Sequence, residues 1–97
     1  MKFAVSVLLA LAGLSNAALA EECRRVTRPT TIAVVAHGGV WTRAAELGMT
    51  FRARDCKTKI NGNLYCRLHP YEQPEVYLRH ADEQGNEYTA FWGDRCK

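Results

Sequence analysis

Three histidines, His37, His69 and His80, are the side chains that could exchange protons near neutral pH in a general acid–base mechanism. A histidine with a carboxylate and a cation is the equipment of ribonuclease-type phosphodiester cleavage, in which the cation offsets phosphate charge. His80 with Glu83, or His37 with Glu46 and Arg43, could supply such a set. The spacing matches no specific motif, and each histidine falls at an expected turn or strand end, where a solvated imidazole is the ordinary case. The only serines, Ser6 and Ser15, lie in an N-terminal leader, so a Ser-His-Asp hydrolase is not expected. Cys23, Cys56, Cys66 and Cys96 form an even set with no CxxC pair, the pattern of disulfides in a secreted domain rather than of a zinc site. Four cysteines allow three connectivities. With all four paired, no thiolate remains for catalysis. The chain reads as a non-enzyme, with no catalytic residue, metal or cofactor expected.

Recognition is the chemistry these residue types favour. Trp41, Tyr65, Tyr71, Tyr77, Tyr88, Phe91 and Trp92 are many aromatics for a small chain, and Arg52, Arg54, Lys57, Lys59 and Arg67 crowd its middle. Aromatic rings beside arginines make up the hot spots of protein interfaces. Strand alternation puts Tyr65 and Tyr77 on the face opposite Leu64, Leu68, Val76 and Leu78. Arg52, Arg54, Tyr65, Arg67 and Tyr77 are therefore the candidate binding surface, while Phe51, Phe91 and one tryptophan are expected in the core. An exposed strand edge could bind a partner by β-augmentation as well.

The elements that position these residues follow a leader. Lys2, the apolar run Phe3 to Leu14 and the small-residue site Ala18-Leu19-Ala20 predict a secretory signal over residues 1–20 and a single domain over 21–97. No stretch reaches the roughly 20 apolar residues that span a bilayer, so no membrane partner is expected. Subtracting the 20 leader residues from 97 leaves 77, a size that buries only about 60% of the surface its unfolded chain exposes and leans on staples. Without Lys2 the net charge falls from +3 to +2. That is too little for a nucleic-acid binder of this size, and the basic cluster reads as a solvated strand face.

Short apolar or alternating runs separated by turn signals predict the fold class. Ile32 to Ala36, Met49 to Arg54, Lys57 to Ile60, Leu64 to Leu68, Val76 to His80 and Tyr88 to Trp92 read as strands. Asn61-Gly62 predicts a tight type I′ hairpin turn. Thr42 to Gly48 carries the cap and stop of one helical turn, with a strand as the other reading. The expectation is an all-β protein, a small antiparallel sandwich or barrel of five to six short strands stapled by two disulfides.

The layout resembles that of the MAX effectors of plant-pathogenic fungi. The resemblance lies in the leader, a cysteine close behind it (Glu21-Glu22-Cys23), a second just after a strand (Phe51-Arg52-Ala53-Arg54-Asp55-Cys56) and a terminal one at Asp94-Arg95-Cys96. It implies a six-stranded, two-sheet β-sandwich with a bond like Cys23 to Cys56, leaving Cys66 and Cys96 for the second. A weaker resemblance joins Glu46-Leu47-Gly48-Met49-Thr50-Phe51 and Asn61-Gly62-Asn63-Leu64-Tyr65 to bacterial-type Src-homology-3-like barrels, with His37-Gly38-Gly39 in place of their usual signature. That one implies a cell-wall glycan binder. The functional expectation is a secreted, non-catalytic effector that binds host proteins, outside host cells or after uptake, through a strand edge and an aromatic-basic surface. A secreted ribonuclease-like or antimicrobial toxin is the alternative from another class.

Overall fold

The computed structural model describes residues 20–96, so the signal read at residues 1–20 lies, Ala20 apart, outside the described residues. Seven strands follow one another: β1 (Glu22–Val26), β2 (Thr30–Ala36), β3 (Gly39–Ala45), β4 (Thr50–Ile60), β5 (Asn63–Leu68), β6 (Glu75–Ala81) and β7 (Thr89–Gly93). They form one antiparallel sheet in the order β3-β2-β6-β5-β4-β1-β7. The all-β antiparallel class with two disulfides is the expected one. The sheet is single where the resemblance implied two, and it has seven strands where five or six were expected.

Two elements account for the count. β1 is five residues long with a charged sequence, too short to show a pattern. β3 is a strand despite the helix-like cap and stop of its neighbourhood, because all seven of its residues pair with β2, and a full ladder outweighs local preference. In the other direction, Met49 to Arg54 and Lys57 to Ile60 merge into the eleven-residue β4 across a bulge between Arg54 and Thr58, where Asp55 takes a φ of 54°. The Asn61-Gly62 turn has the two positive φ values, 52° and 86°, that a type I′ turn requires.

The sheet coils back on itself just ahead of β7. The Tyr88 N–H donates to the His80 carbonyl at 2.7 Å, and Ala81 bridges Glu87. Strands β6, β5, β4, β1 and β7 thereby curl round a small core of Val26, Ala53, Cys66, Leu68 and Leu78, which Ile32 of β2 and Ala45 of β3 complete. Phe51 packs against this core, as expected. Phe91 and both tryptophans do not: Trp41, Phe91 and Trp92 are each 57% exposed. They sit on β3 and β7, the two outer strands, where a side chain has a neighbouring strand on one side only.

The bonds are Cys23–Cys96 and Cys56–Cys66. The Cys23–Cys56 pairing implied by the effector resemblance does not form, and a Cys23–Cys96 bond departs from that layout. The register explains it. Cys23 lies opposite Arg52 in the β1–β4 ladder, so Cys56 is displaced along β4 by about 13 Å at the usual strand rise, beyond the roughly 7 Å that a disulfide spans. Cys96 instead ties the segment after β7 to β1, and Cys56 meets Cys66 beside the β4 bulge.

The two loops differ in length, 73 residues against 10. In the chain-entropy model, paired alanine substitution of Cys23 and Cys96 costs about 4 kcal/mol and that of Cys56 and Cys66 about 3 kcal/mol. Urea unfolding of the two double variants checks the order, and a larger loss at Cys56–Cys66 would contradict it.

Candidate binding surface

Four of the nine arginines and two of the four tyrosines stand on the outer face of β4, β5 and β6. Ala53, Cys66, Leu68 and Leu78 turn inward, so strand alternation turns Arg52, Arg54, Tyr65, Arg67, Tyr77 and Arg79 outward. The ladder sets Arg54 opposite Arg67, Arg67 opposite Tyr77 and Tyr65 opposite Arg79. Cross-strand partners share a face and touch. Tyr65 and Tyr77 meet edge to face with ring centroids 6.4 Å apart. The five residues singled out in the sequence thus fall on one face, with Arg52 at its margin.

The loop between β5 and β6 completes the arrangement by folding Tyr71 back over it. Arg67 Nη2 donates to the Tyr71 carbonyl at 2.6 Å, and the Arg54 guanidinium lies 4.1 Å from the Tyr71 ring centroid. The Tyr71 hydroxyl donates to Glu21 Oε2 at 2.6 Å, and Arg52 Nη2 donates to Glu21 Oε1 at 2.9 Å. A second cluster mirrors the first: Arg67 Nη1 lies 3.2 Å from Glu75 Oε1, which accepts from the Tyr77 hydroxyl at 2.8 Å. The electrostatics follow from these contacts. The Tyr71 hydroxyl, then Arg52, hold the Glu21 carboxyl below its usual range. Burial, then the hydrogen bond to Glu75, pushes the Tyr77 phenol up, and burial with Glu21 does the same at Tyr71.

Each arginine of the face is therefore held rather than swinging free. Arg67 stacks on Tyr77 at 5.4 Å and Arg79 on Tyr88 at 4.7 Å; beside β7, Arg25 stacks on Trp92 at 4.4 Å. Among the described residues the buried side-chain atoms without a hydrogen-bond partner are Nε of Arg54 and Nε of Arg67. Both belong to this face, where an unmet donor costs on the order of 1–3 kcal/mol. Sequence reasoning missed Glu21, Tyr71, Glu75 and Arg79. The period that placed Tyr77 outward also places Glu75 and Arg79 outward; Tyr71 gave no such signal, because a loop has no period.

The histidines lie elsewhere. His37 sits at the tip of the β2–β3 hairpin, a strand length of about 20 Å from Glu46, so that set does not assemble. Glu83 packs beneath the Asn61-Gly62 turn, where a Cβ on Gly62 would fall 2.5 Å from its Oε1. The carboxylate near His80 is instead Glu87, with Oε2 3.8 Å from Nε2. His80 belongs to a buried network with Arg24 of β1 and Thr89 of β7. Arg24 donates from Nε and Nη2 to Thr89 Oγ1 at 3.3 and 3.2 Å, and from Nη2 to the Thr89 carbonyl at 3.1 Å. Arg24 Nη1 pairs with Glu22 Oε2 at 2.7 Å. His80 Nδ1 lies 3.3 Å from Arg24 Nη2 and 2.7 Å from Thr89 Oγ1. A guanidinium can only donate, so where Arg24 shares an Nη2 hydrogen with Nδ1 the ring proton sits on Nε2.

His80 lines a cleft of about 720 Å³ together with Glu22, Arg24, Asp55, Lys57 and Glu87. Its three carboxylates stand against two cations, Lys57 and an Arg24 already paired with Glu22 and Thr89. In that tautomer the Nδ1 lone pair is met by Arg24 and Thr89. Comparison with known protein families, curated proteins and solved structures finds no match to this chain.

Burial, then the Arg24 charge, holds the His80 imidazole below its usual 6.5. The unfolded chain therefore binds this proton more readily than the folded one. Its contribution is full above about pH 6.5 and is lost as pH falls from there toward the folded value. A second loss comes at lower pH, because four hydrogen bonds led by the one from the Asn86 side chain hold Asp82 at about 2. Urea midpoints should fall between pH 7.5 and 5, and a His80→Gln variant should lose that slope. A midpoint flat over this interval in the parent protein would contradict the assignment.

Proposed function

We propose that this protein is a secreted, non-catalytic effector that docks on a host protein through the arginine–tyrosine face of β4, β5 and β6. The observation that carries the reading is the side-by-side placement of Arg54, Arg67 and Tyr77 across three adjoining strands, each guanidinium stacked on a tyrosine. Tyrosine and arginine dominate interface hot spots. Binding normally costs about 0.5–1.5 kcal/mol for each long side chain that it immobilises. Arg54 and Arg67 have already met much of that cost, since rings, Glu75 and the Tyr71 carbonyl hold them in the free protein.

The two disulfides are compatible with an extracellular protein, and the leader read at residues 1–20 supports export. Binding is favoured over phosphodiester cleavage by the state of His80, whose Nδ1 lone pair is occupied and whose cleft holds three carboxylates. The face also favours a protein partner over a nucleic acid. Its arginines are interleaved with Glu21 and Glu75, which neutralise part of the field that a phosphate backbone needs.

The test is comparative capture from host extract, with the parent protein and an Arg67→Ala/Tyr77→Ala variant as baits of equal folded content. Recovery of the specific host protein should fall at least about tenfold, the loss expected when central hot-spot side chains are truncated. Equal recovery by both baits would contradict the proposal, as would RNA cleavage that His80→Ala abolishes.

A further inference from the structure

The two edges of the sheet are treated differently. β7 is short, its pairing with β1 is broken by a register shift between Cys23 and Arg24, and the Cys23–Cys96 bond ties the segment that follows it to β1. Bulges, short strands and covering segments are the devices that keep edges from pairing. β3 has none of them. Its seven residues pair with β2 in unbroken register, it contains no proline or lysine, and Val40 and Trp41 are 62% and 57% exposed. Among the described residues no strand pairs on its outer side, and Gly39 to Ala44 are all exposed.

The hairpin geometry fixes which backbone groups that edge offers. A two-residue turn, His37-Gly38, joins Ala36 to Gly39, and the pair flanking such a turn is hydrogen-bonded. Bonded and non-bonded pairs then alternate along the ladder. Gly39, Trp41, Arg43 and Ala45 spend their N–H and C=O groups on β2, while those of Val40, Thr42 and Ala44 point outward. Side chains alternate as well: Trp41 and Arg43 share the face of their partners Val34 and Ile32, and Thr42 shares that of Ala33.

We propose that β3 pairs antiparallel with β3 of a second copy of this chain, about a two-fold axis at Thr42. In this register Thr42 faces Thr42 of the second copy and Val40 faces its Ala44, and every outward N–H and C=O meets a partner. Trp41 then stands opposite Arg43 of the second copy in a non-bonded pair, where side chains approach most closely, and the two-fold repeats the contact. That gives two cation–π pairs between groups of opposite electrostatic character. The neighbouring registers are worse. An axis at Trp41 sets Gly39 against the one charge of the strand and forfeits both Trp41–Arg43 contacts; an axis at Arg43 opposes two guanidinium groups. Self-complementarity of this kind is what a two-fold interface requires.

The dimer also organises the face proposed for docking, although it rests on separate observations and stands without that reading. Thr42, Ala33, Tyr77, Arg67 and Arg54 form one row across β3, β2, β6, β5 and β4. Joining two such rows at Thr42 would put the Tyr77 positions about 24 Å apart, five strand spacings, on one continuous surface.

Sedimentation equilibrium of the disulfide-intact protein, from low to high micromolar concentration, tests the proposal. The expected mass is twice that of one chain. Thr42→Lys and Thr42→Glu should each raise the dimer dissociation constant at least about tenfold, because like charges then meet on the axis. An equimolar mixture of the two variants should restore the dimer. Isotope-filtered cross-relaxation between labelled and unlabelled parent chains should show the Trp41 ring beside the Arg43 side chain, a readout that needs no variant to fold. A monomer at every concentration overturns the proposal and leaves the edge to a strand of another protein. A dimer indifferent to both charges, or without the Trp41–Arg43 contact, overturns it equally.

Discussion

Arg24 carries a full charge into a very small interior, and leaving it there without partners would cost several kcal/mol. The obligation to satisfy it fixes the relation of three strands. Glu22 on its own strand supplies the counter-charge, and Thr89 on β7 accepts from both Nε and Nη2. His80 on β6 lies against the same Nη2. Because β6 and β7 are joined by a polar turn and meet through the Tyr88 N–H and the His80 carbonyl, this network is the polar seam along which the sheet curls back on itself. The apolar core is modest, with Ile32 and Leu78 its largest fully buried side chains, so polar closure and two disulfides do much of the holding.

Closure of that kind has a bearing on the outer face. A sheet pinned at β1, β6 and β7 and stapled at Cys56–Cys66 keeps the middle strands β4, β5 and β6 in fixed register. The side chains they present stand at the regular spacings of a ladder. Tyrosine rings and carboxylates then hold the arginines one by one. A surface built this way is pre-organised, which is the property that turns contact area into affinity. The two unmet Nε donors at Arg54 and Arg67 lie at its centre, and the fold carries their cost where recognition would use it.

Parts of this were legible in the chain, for physical reasons that can be named. Alternation is a local property, so the outward set of Arg52, Arg54, Tyr65, Arg67 and Tyr77 could be read without the structure. So could the Asn61-Gly62 turn, whose residues tolerate the positive φ that it needs. The same alternation that turns Leu78 inward also turns His80 inward, and the histidine network was in principle readable there. What hid it was the partner: Arg24 lies 56 residues away, and no local pattern encodes that meeting. The disulfides were hidden for the same reason, because the Cys23–Arg52 register that rules out a bond to Cys56 is a long-range fact. Phe91 and the one tryptophan expected inside were misplaced because hydrophobicity indicates what is willing to be buried, and strand order decides what can be.

The measurement that bears most directly on the proposed docking face is hydroxyl-radical footprinting of the protein, free and in complex with any protein recovered by the capture experiment. The face predicts that Tyr65, Tyr71 and Tyr77 lose reactivity on binding while Trp92, beside β7, keeps its own. Unchanged reactivity at all three tyrosines, with protection confined to the cleft around His80 and Glu87, would contradict it.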